Sequence, residues 1–356
     1  MLVLTAGGRV VVLLYVDDGL ISAPTAALLA HWRTRIMAMY KARDLGEPAD
    51  YLNICLERDR NAGTLRMHQR PYIERLALLY PPAPARLPAT PLPTAVLPID
   101  GERLSSEELQ EYPSLVGALN YLACCTRPDI SHAVSTLSRF LKCPRQPHHA
   151  AALRVLHYVH GTSALALTFS RAHSPAPPIG FCDADYAGDT PTRRSTTGIV
   201  FLWGGAAVAW QSKLQSTVAL STTEAELQAI SAAAREALWL RKILPAVWGE
   251  PWTSTASLGT RLSDSPSAAA DAPPPAKSPP LEIMTDSQSA LALVKTVMMT
   301  ARSKHIDVIH FFARERVRDG EIAFSFVGTA ANVADGLTKA VPPQKAVFCR
   351  TGCGLL

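Results

Sequence analysis

Two proline-rich stretches decide where this chain can build regular structure. Residues 81–98 and 251–280 hold 14 of its 28 prolines. Proline fixes φ and removes a backbone donor, so neither stretch can lie inside a helix or a central strand. The first, PPAPARLPATPLPTAVLP, reads as an extended linker through 81–104. The second is rich in Ser, Ala and Pro and reads as a disordered surface insertion. Elsewhere the proline density is ordinary, and apolar residues at 48% against 18% charged leave ample material for a core. That balance excludes wholesale disorder. The net charge of +5 suits a polyanionic partner without requiring one.

Outside the two stretches the periodicity changes along the chain. RVVVLLYVDDGLISA (9–23) reads as strand, tight turn and strand, with a helix over about 25–40. YLNICLER (51–58) and TLRMH alternate around a turn at Asn61-Ala62-Gly63, and YIERLALLY (72–80) is a short amphipathic helix. Residues 105–175 read as a helical unit, each helix starting near Ser, Asp or Pro. From 176 to 340 strands and helices interleave. PIGFCDAD is a strand, and TTGIVFLWGGAAVAWQSK is a hairpin turning at Gly204-Gly205. A long helix follows from about Ser221, then the strand LEIMTD, a helix SQSALALVKTV, a helix over 306–318, the strand EIAFSFV and a last helix NVADGLTKA. Residues 341–356 read as a tail. The fold class expected is α/β, a mixed sheet with flanking helices.

Location is legible only by exclusion. No apolar run reaches 18 residues, so no membrane partner is expected. The start, MLVLTAGGRVVVLLYV, resembles a secretory core but lacks a basic leader and runs into Asp17-Asp18. Seven cysteines form no disulfide framework, which suggests reduced thiols. An intracellular protein, in a cytoplasmic particle or the nucleus and not secreted, is expected.

Four acids stand where chemistry collects in an open α/β sheet. Asp183 ends the first strand of the 176–340 unit, Glu226 lies early in its long helix, Asp286 ends the fourth strand, and Asp335 opens the last helix. Such strand ends and helix starts converge on one rim. Acids gathered there repel unless they share a divalent cation, and carboxylate oxygens suit Mg2+ or Mn2+. Three of them have a structural alternative: Asp183 as a turn residue, Asp286 as the cap of the helix at Ser287, Asp335 as partner of an Asn332 cap. Glu226 resists this. Ser221 and Glu224 already form a capping box, while Glu226 shares a face with Ala229, Ile230 and Ala233, where an unpaired carboxylate is costly.

Here the residues carry a resemblance. GFCDADYAGD (180–189) resembles the opening strand of the ribonuclease H domain of copia-type retrotransposon Pol polyproteins. TRRSTTGIVFLWGGAAVAWQSKLQSTVALSTTEAELQA, TDSQSALALVK, RSKHIDVIHFFARERV and NVADGLTKA follow in the family's order. Upstream, Tyr15-Val16-Asp17-Asp18 is similar to the reverse transcriptase turn, with DLGEPADYLNICLERD and YPSLVGALNYLACCTRPDISHAVSTLSRF after it. The resemblance implies a truncated reverse transcriptase palm over 1–80, a helical thumb or connection over 105–175, and a ribonuclease H-like domain over 176–340.

It also implies roles. Asp183, Glu226, Asp286 and Asp335 become the catalytic, metal-binding acids, holding two Mg2+ or Mn2+ ions and cleaving the RNA strand of an RNA/DNA hybrid. Asp185 and Glu224 lie nearby but are not main ligands. Substrate contacts fall to Arg193, Arg194, Gln211, Ser212, Lys213, Gln215, Lys304 and His305, each cation having the alternative of a solvated surface charge. Asp17 and Asp18 become remnants of a polymerase site that lacks its third acid, so DNA synthesis is not expected. The remaining Pol segments are possible partners. Two other readings stay open: an inactive remnant that only binds nucleic acid, and an unrelated Mg2+-dependent nuclease or transposase domain.

The chain departs from the family pattern in four places. Asn53 replaces a glycine expected within a strand, Phe311 replaces a second histidine after His310, the loop 328–331 lacks a histidine, and the 251–280 insertion is extra.

Overall fold

The computed structural model describes residues 2–4, 9–82, 84–173, 177–248, 279–295 and 307–356. The first sheet is antiparallel: β1 (Leu2–Leu4), β2 (Val10–Tyr15) and β3 (Asp18–Ser22). Val16 turns the β2–β3 hairpin at φ +53° beside Asp17. Helix α1 (Ala26–Met39), capped by Thr25, buries Trp32 against Val10 and Val12. The tip stays bare, with Tyr15 59% and Val16 91% exposed.

The second sheet runs β4 (Asp50–Tyr51), β5 (Ile54–Asp59), β6 (Thr64–His68) and β7 (Leu167–Ser170), again antiparallel. Leu52 and Asn53 are not strand residues but the two-residue turn between β4 and β5, at φ +52° and +57°. Asparagine tolerates that left-handed geometry, so its presence there distorts nothing. Helix α2 (Arg70–Ala77) follows.

A helical layer comes next: α3 (Ser106–Cys125), α4 (Ser131–Ser138) and α5 (Gln146–Gly161), with Leu115, Leu119, Leu137, Val155 and Leu156 at its centre. Ser105 and Glu108 close a reciprocal capping box at the start of α3. The first proline-rich stretch forms neither helix nor strand within its described residues, yet it is anchored to this layer. Thr90 and Leu92 are buried, and the Pro98 carbonyl meets His148 Nε2 at 2.8 Å.

The third sheet holds β8 (Ile179–Asp185), β9 (Thr196–Trp203), β10 (Ala206–Leu214), β11 (Leu281–Thr285) and β12 (Ile322–Phe326) in the order β10-β9-β8-β11-β12. β9 runs antiparallel to both of its neighbours, β8 and β10; β8, β11 and β12 are parallel. The β9–β10 turn needs Gly204 and Gly205, at φ +60° and +91°. Helix α6 (Thr222–Trp248) lays Ala225, Ala229, Ile230, Ala233 and Ala237 onto one face, against Cys182, Phe201, Ile283 and Phe324. Helices α7 (Gln288–Lys295) and α8 (Asp307–Arg318) complete that layer.

The other face is covered by the 333–337 segment and by helix α9 (Pro343–Gly352). NVADGLTKA forms a tight 3₁₀ turn over Val333–Leu337 in place of the expected helix. Gly198 permits its close approach: a Cβ there would lie 2.7 Å from Thr338 and 3.0 Å from the Ala334 carbonyl. Residues 341–356 do not trail free. Cys349, Cys353 and Leu355 are buried, and Leu356 exchanges two backbone hydrogen bonds with Ala166. The 251–278 part of the second proline-rich stretch lies outside the described residues.

Candidate metal centre

Strand register brings the first two acids together. Met284 lies opposite Phe181 in the parallel β8–β11 pair, and two residues further along each chain come Asp286 and Asp183. Local capping frees the acids from structural duty. Ser287, not Asp286, accepts from the Ala290 amide and starts α7. Ser221 accepts from the Glu224 amide, and Glu224 accepts from Leu220, so Glu226 is left to face the sheet. One carboxylate oxygen from each of Asp183, Glu226 and Asp286 lies within 4.8 Å of the others.

These oxygens are poorly served by the protein. Glu226 Oε2 is shielded from solvent and has no hydrogen-bond partner. Burial, then Asp183 and Asp286, pushes its carboxyl up to about 9. Asp183, only 3% exposed, accepts a hydrogen bond from Thr338 Oγ1. Burial raises it to about 6 in spite of Lys339 and Thr338, which lower it. Three hard oxygen donors, one of them buried without a partner, fit a divalent cation.

The fourth acid stands apart. Asp335 is as buried as Asp183 but lies outside the 4.8 Å cluster. Lys339 Nζ sits 2.9 Å from its Oδ1 and Lys345 Nζ 2.8 Å from its Oδ2. Burial alone would raise Asp335, but the two ammonium groups outweigh it and hold the carboxyl below its usual range. Lys339 also lies 3.7 Å from Asp183 Oδ2 and so bridges the two acids. Its own pKa is raised: burial opposes the shift, and Asp183 and Asp335 drive it. Asn332 caps the turn through Ala334 and donates to the Cys182 carbonyl, tying the turn to β8. The sequence reading passed over Thr338, Lys339 and Lys345. The signal for Lys339 was its place four residues after Asp335, a spacing common among surface ion pairs.

The expected substrate residues that are described lie in two adjoining places, the loop leading into β9 and the end of β10 paired with it. Arg193 is exposed at φ +55° and Arg194 is half-buried, in a loop closed between Asp189 and both residues' backbones. Arg139, at the end of α4, clamps that loop through Asp189 at 2.7 Å. Gln211 and Lys213 are exposed on β10 with Ser212 half-buried between them. Gln215 is buried and donates to Thr197 Oγ1 and the Ala225 carbonyl, which locks α6 to β9, while its Oε1 has no hydrogen-bond partner. Lys304 and His305 lie outside the described residues. Asp17 and Asp18 are exposed at the hairpin of the first sheet, and Asp185 is not in the acid cluster.

No protein-family model matches the chain. Over 97% of its length it is 35% identical to the Retrovirus-related Pol polyprotein from transposon TNT 1-94 of Nicotiana tabacum, and it spans about a quarter (24%) of that polyprotein. It is 32% identical over 223 residues to a putative transposon Ty5-1 protein of Saccharomyces cerevisiae, covering 62% of this chain and 72% of that one. Among solved structures it is similar to ribonuclease H1 from the archaeon Halobacterium salinarum, at 17% identity and a TM-score of 0.30, covering 46% of this chain and 95% of that one.

Proposed function

The chain belongs to the copia-type retrotransposon Pol family, and on that premise we propose that residues 177–356 form a ribonuclease H that hydrolyses the RNA strand of an RNA/DNA hybrid. The observation that carries this reading is the convergence of Asp183, Glu226 and Asp286 around a buried oxygen with no partner. These three would hold a divalent cation, Mg2+ or Mn2+, and Asp335 with Asp183 would serve a second. When bound, such ions polarise a phosphoryl group and lower the pKa of a water.

The chain's own residues set the stage for that chemistry. Thr338 fixes the orientation of Asp183. Gln215 holds the start of α6, and with it Glu226, against β9. Glu226, raised to about 9, carries a proton at neutral pH that it gives up to become a ligand. Arg193, Arg194, Gln211 and Lys213 offer polar and cationic contacts to the hybrid backbone.

An end-labelled RNA/DNA duplex in Mg2+ tests the proposal. Cleavage of the RNA strand, with single-stranded RNA and DNA duplex spared, is the expected result. Binding without cleavage would instead favour a non-catalytic nucleic-acid binder. Among the described residues, the sheet around the β2–β3 hairpin carries no acids besides Asp17 and Asp18, whereas a polymerase site needs acids from neighbouring strands. Primer extension by this chain is therefore expected to show no incorporation; metal-dependent incorporation would contradict it.

A further inference from the structure

Lys339 occupies a place that the metal reading would assign to a cation. Its ammonium lies 2.9 Å from Asp335 and 3.7 Å from Asp183, between the two acids that would serve a second ion. Lys345 takes the other oxygen of Asp335 at 2.8 Å. Both Asp335 oxygens therefore already face an ammonium group in an ion pair, although Oδ1, like Glu226 Oε2, has no hydrogen bond of good geometry; among the described residues Glu226 forms no ion pair. We propose that Lys339 substitutes for the second divalent ion in the substrate-free chain, so that the chain alone binds one ion and a second enters only when Lys339 withdraws. The inference rests on the metal-site reading of the acids.

Three features support exchange rather than a permanent bridge. First, the lysine side chain is 42% exposed, whereas Asp183 and Asp335 are 5% and 4% exposed. Lys339 has open space to leave into; the carboxylates do not. Its flexible four-carbon stem suits a departure of several ångströms. Second, Lys345 is pinned differently. It also donates to the carbonyls of Thr329 and Ala330, so it stays when Lys339 moves. Third, the charges favour one occupant at a time. An ammonium and a dication crowded onto the same pair of carboxylates repel each other in a poorly screened site. The anionic phosphate of a bound nucleic acid would offer Lys339 a replacement partner as it leaves.

Counting Mn2+ bound to the full chain by equilibrium dialysis, without nucleic acid, tests this. One ion per chain is expected for the wild type and two for Lys339→Met, with circular dichroism confirming that the variant is folded. Lys339→Gln, which keeps polarity without charge, should also bind two. Should both variants fail to fold, the wild-type count decides: one ion supports the exchange and two overturn it. A folded Lys339→Met that still binds one ion would also overturn it. A wild-type count of two leaves the metal reading of the acids intact, whereas a count of zero overturns that reading and this inference together.

Discussion

Glu226 is the residue on which the site turns. Its freedom from capping is legible in the sequence because Glu224, two residues earlier, already caps the helix with Ser221. Lys339 and Lys345 could not be read so, because pairing with Asp335 depends on a turn that folds them back over it. Glu226 also makes a prediction in the metal-free state. Its folded pKa of about 9 exceeds the unfolded value of 4.5, so the folded chain binds the extra proton and stability falls as pH rises through that window. Asp183 contributes in the same sense, but only up to about 6. His132 acts oppositely: burial and then Arg139 lower it to about 4, so its contribution is complete above 6.5. Between pH 7 and 8 Glu226 therefore sets the slope; nearer pH 9 the buried thiols of Cys182, Cys349 and Cys353, also raised by burial, add to it in the same sense. The melting temperature of metal-free protein should fall across that range, and Glu226→Gln should flatten the fall and raise stability at pH 8. Identical slopes for the two proteins would contradict the raised pKa that burial gives the Glu226 carboxyl.

At the level of elements, hairpins and helices followed from short-range chemistry. Gly204-Gly205 marked the β9–β10 turn, and the helix starts lay near the expected caps. What periodicity could not supply was how segments approach one another. NVADGLTKA has the residues of a helix but packs as a 3₁₀ turn because it must follow the sheet surface at Gly198. Leu52-Asn53 form a two-residue turn whose flanks alternate like one longer strand, so periodicity alone places them within a strand. The Gly198 contact predicts a specific failure. Gly198→Ala should push Thr338 and Leu337 outward, costing about 1–3 kcal/mol by overpacking and misplacing the Asp183 hydrogen bond. Urea denaturation and hybrid cleavage should both show the loss. An alanine variant as stable and active as wild type would mean that the turn does not need this close approach.

Over the whole molecule, composition and periodicity separate strand-rich from helical stretches, but they do not show how those stretches are stitched together. β7 pairs with β6 more than a hundred residues away and joins the chain end through Leu355 and Leu356. Trp210 on β10 donates to the Ala123 carbonyl of α3, and Arg139 clamps the Asp189 loop. Such ties are long-range, and no local pattern announces them. Deleting residues 341–356 should therefore uncover Val333, Leu337 and the β7 edge, lowering the melting temperature markedly or leaving the protein insoluble. A truncated chain that melts like the intact one would show that the end is dispensable. The central claim is that the acids gathered where α6 meets the third sheet cut RNA within a hybrid, and Glu226→Gln tests it most directly. With Mg2+ and a labelled RNA/DNA duplex, the wild-type chain should cleave the RNA strand, while folded Glu226→Gln should bind the same duplex by fluorescence anisotropy and leave it intact. Cleavage by Glu226→Gln at the wild-type rate would contradict the account.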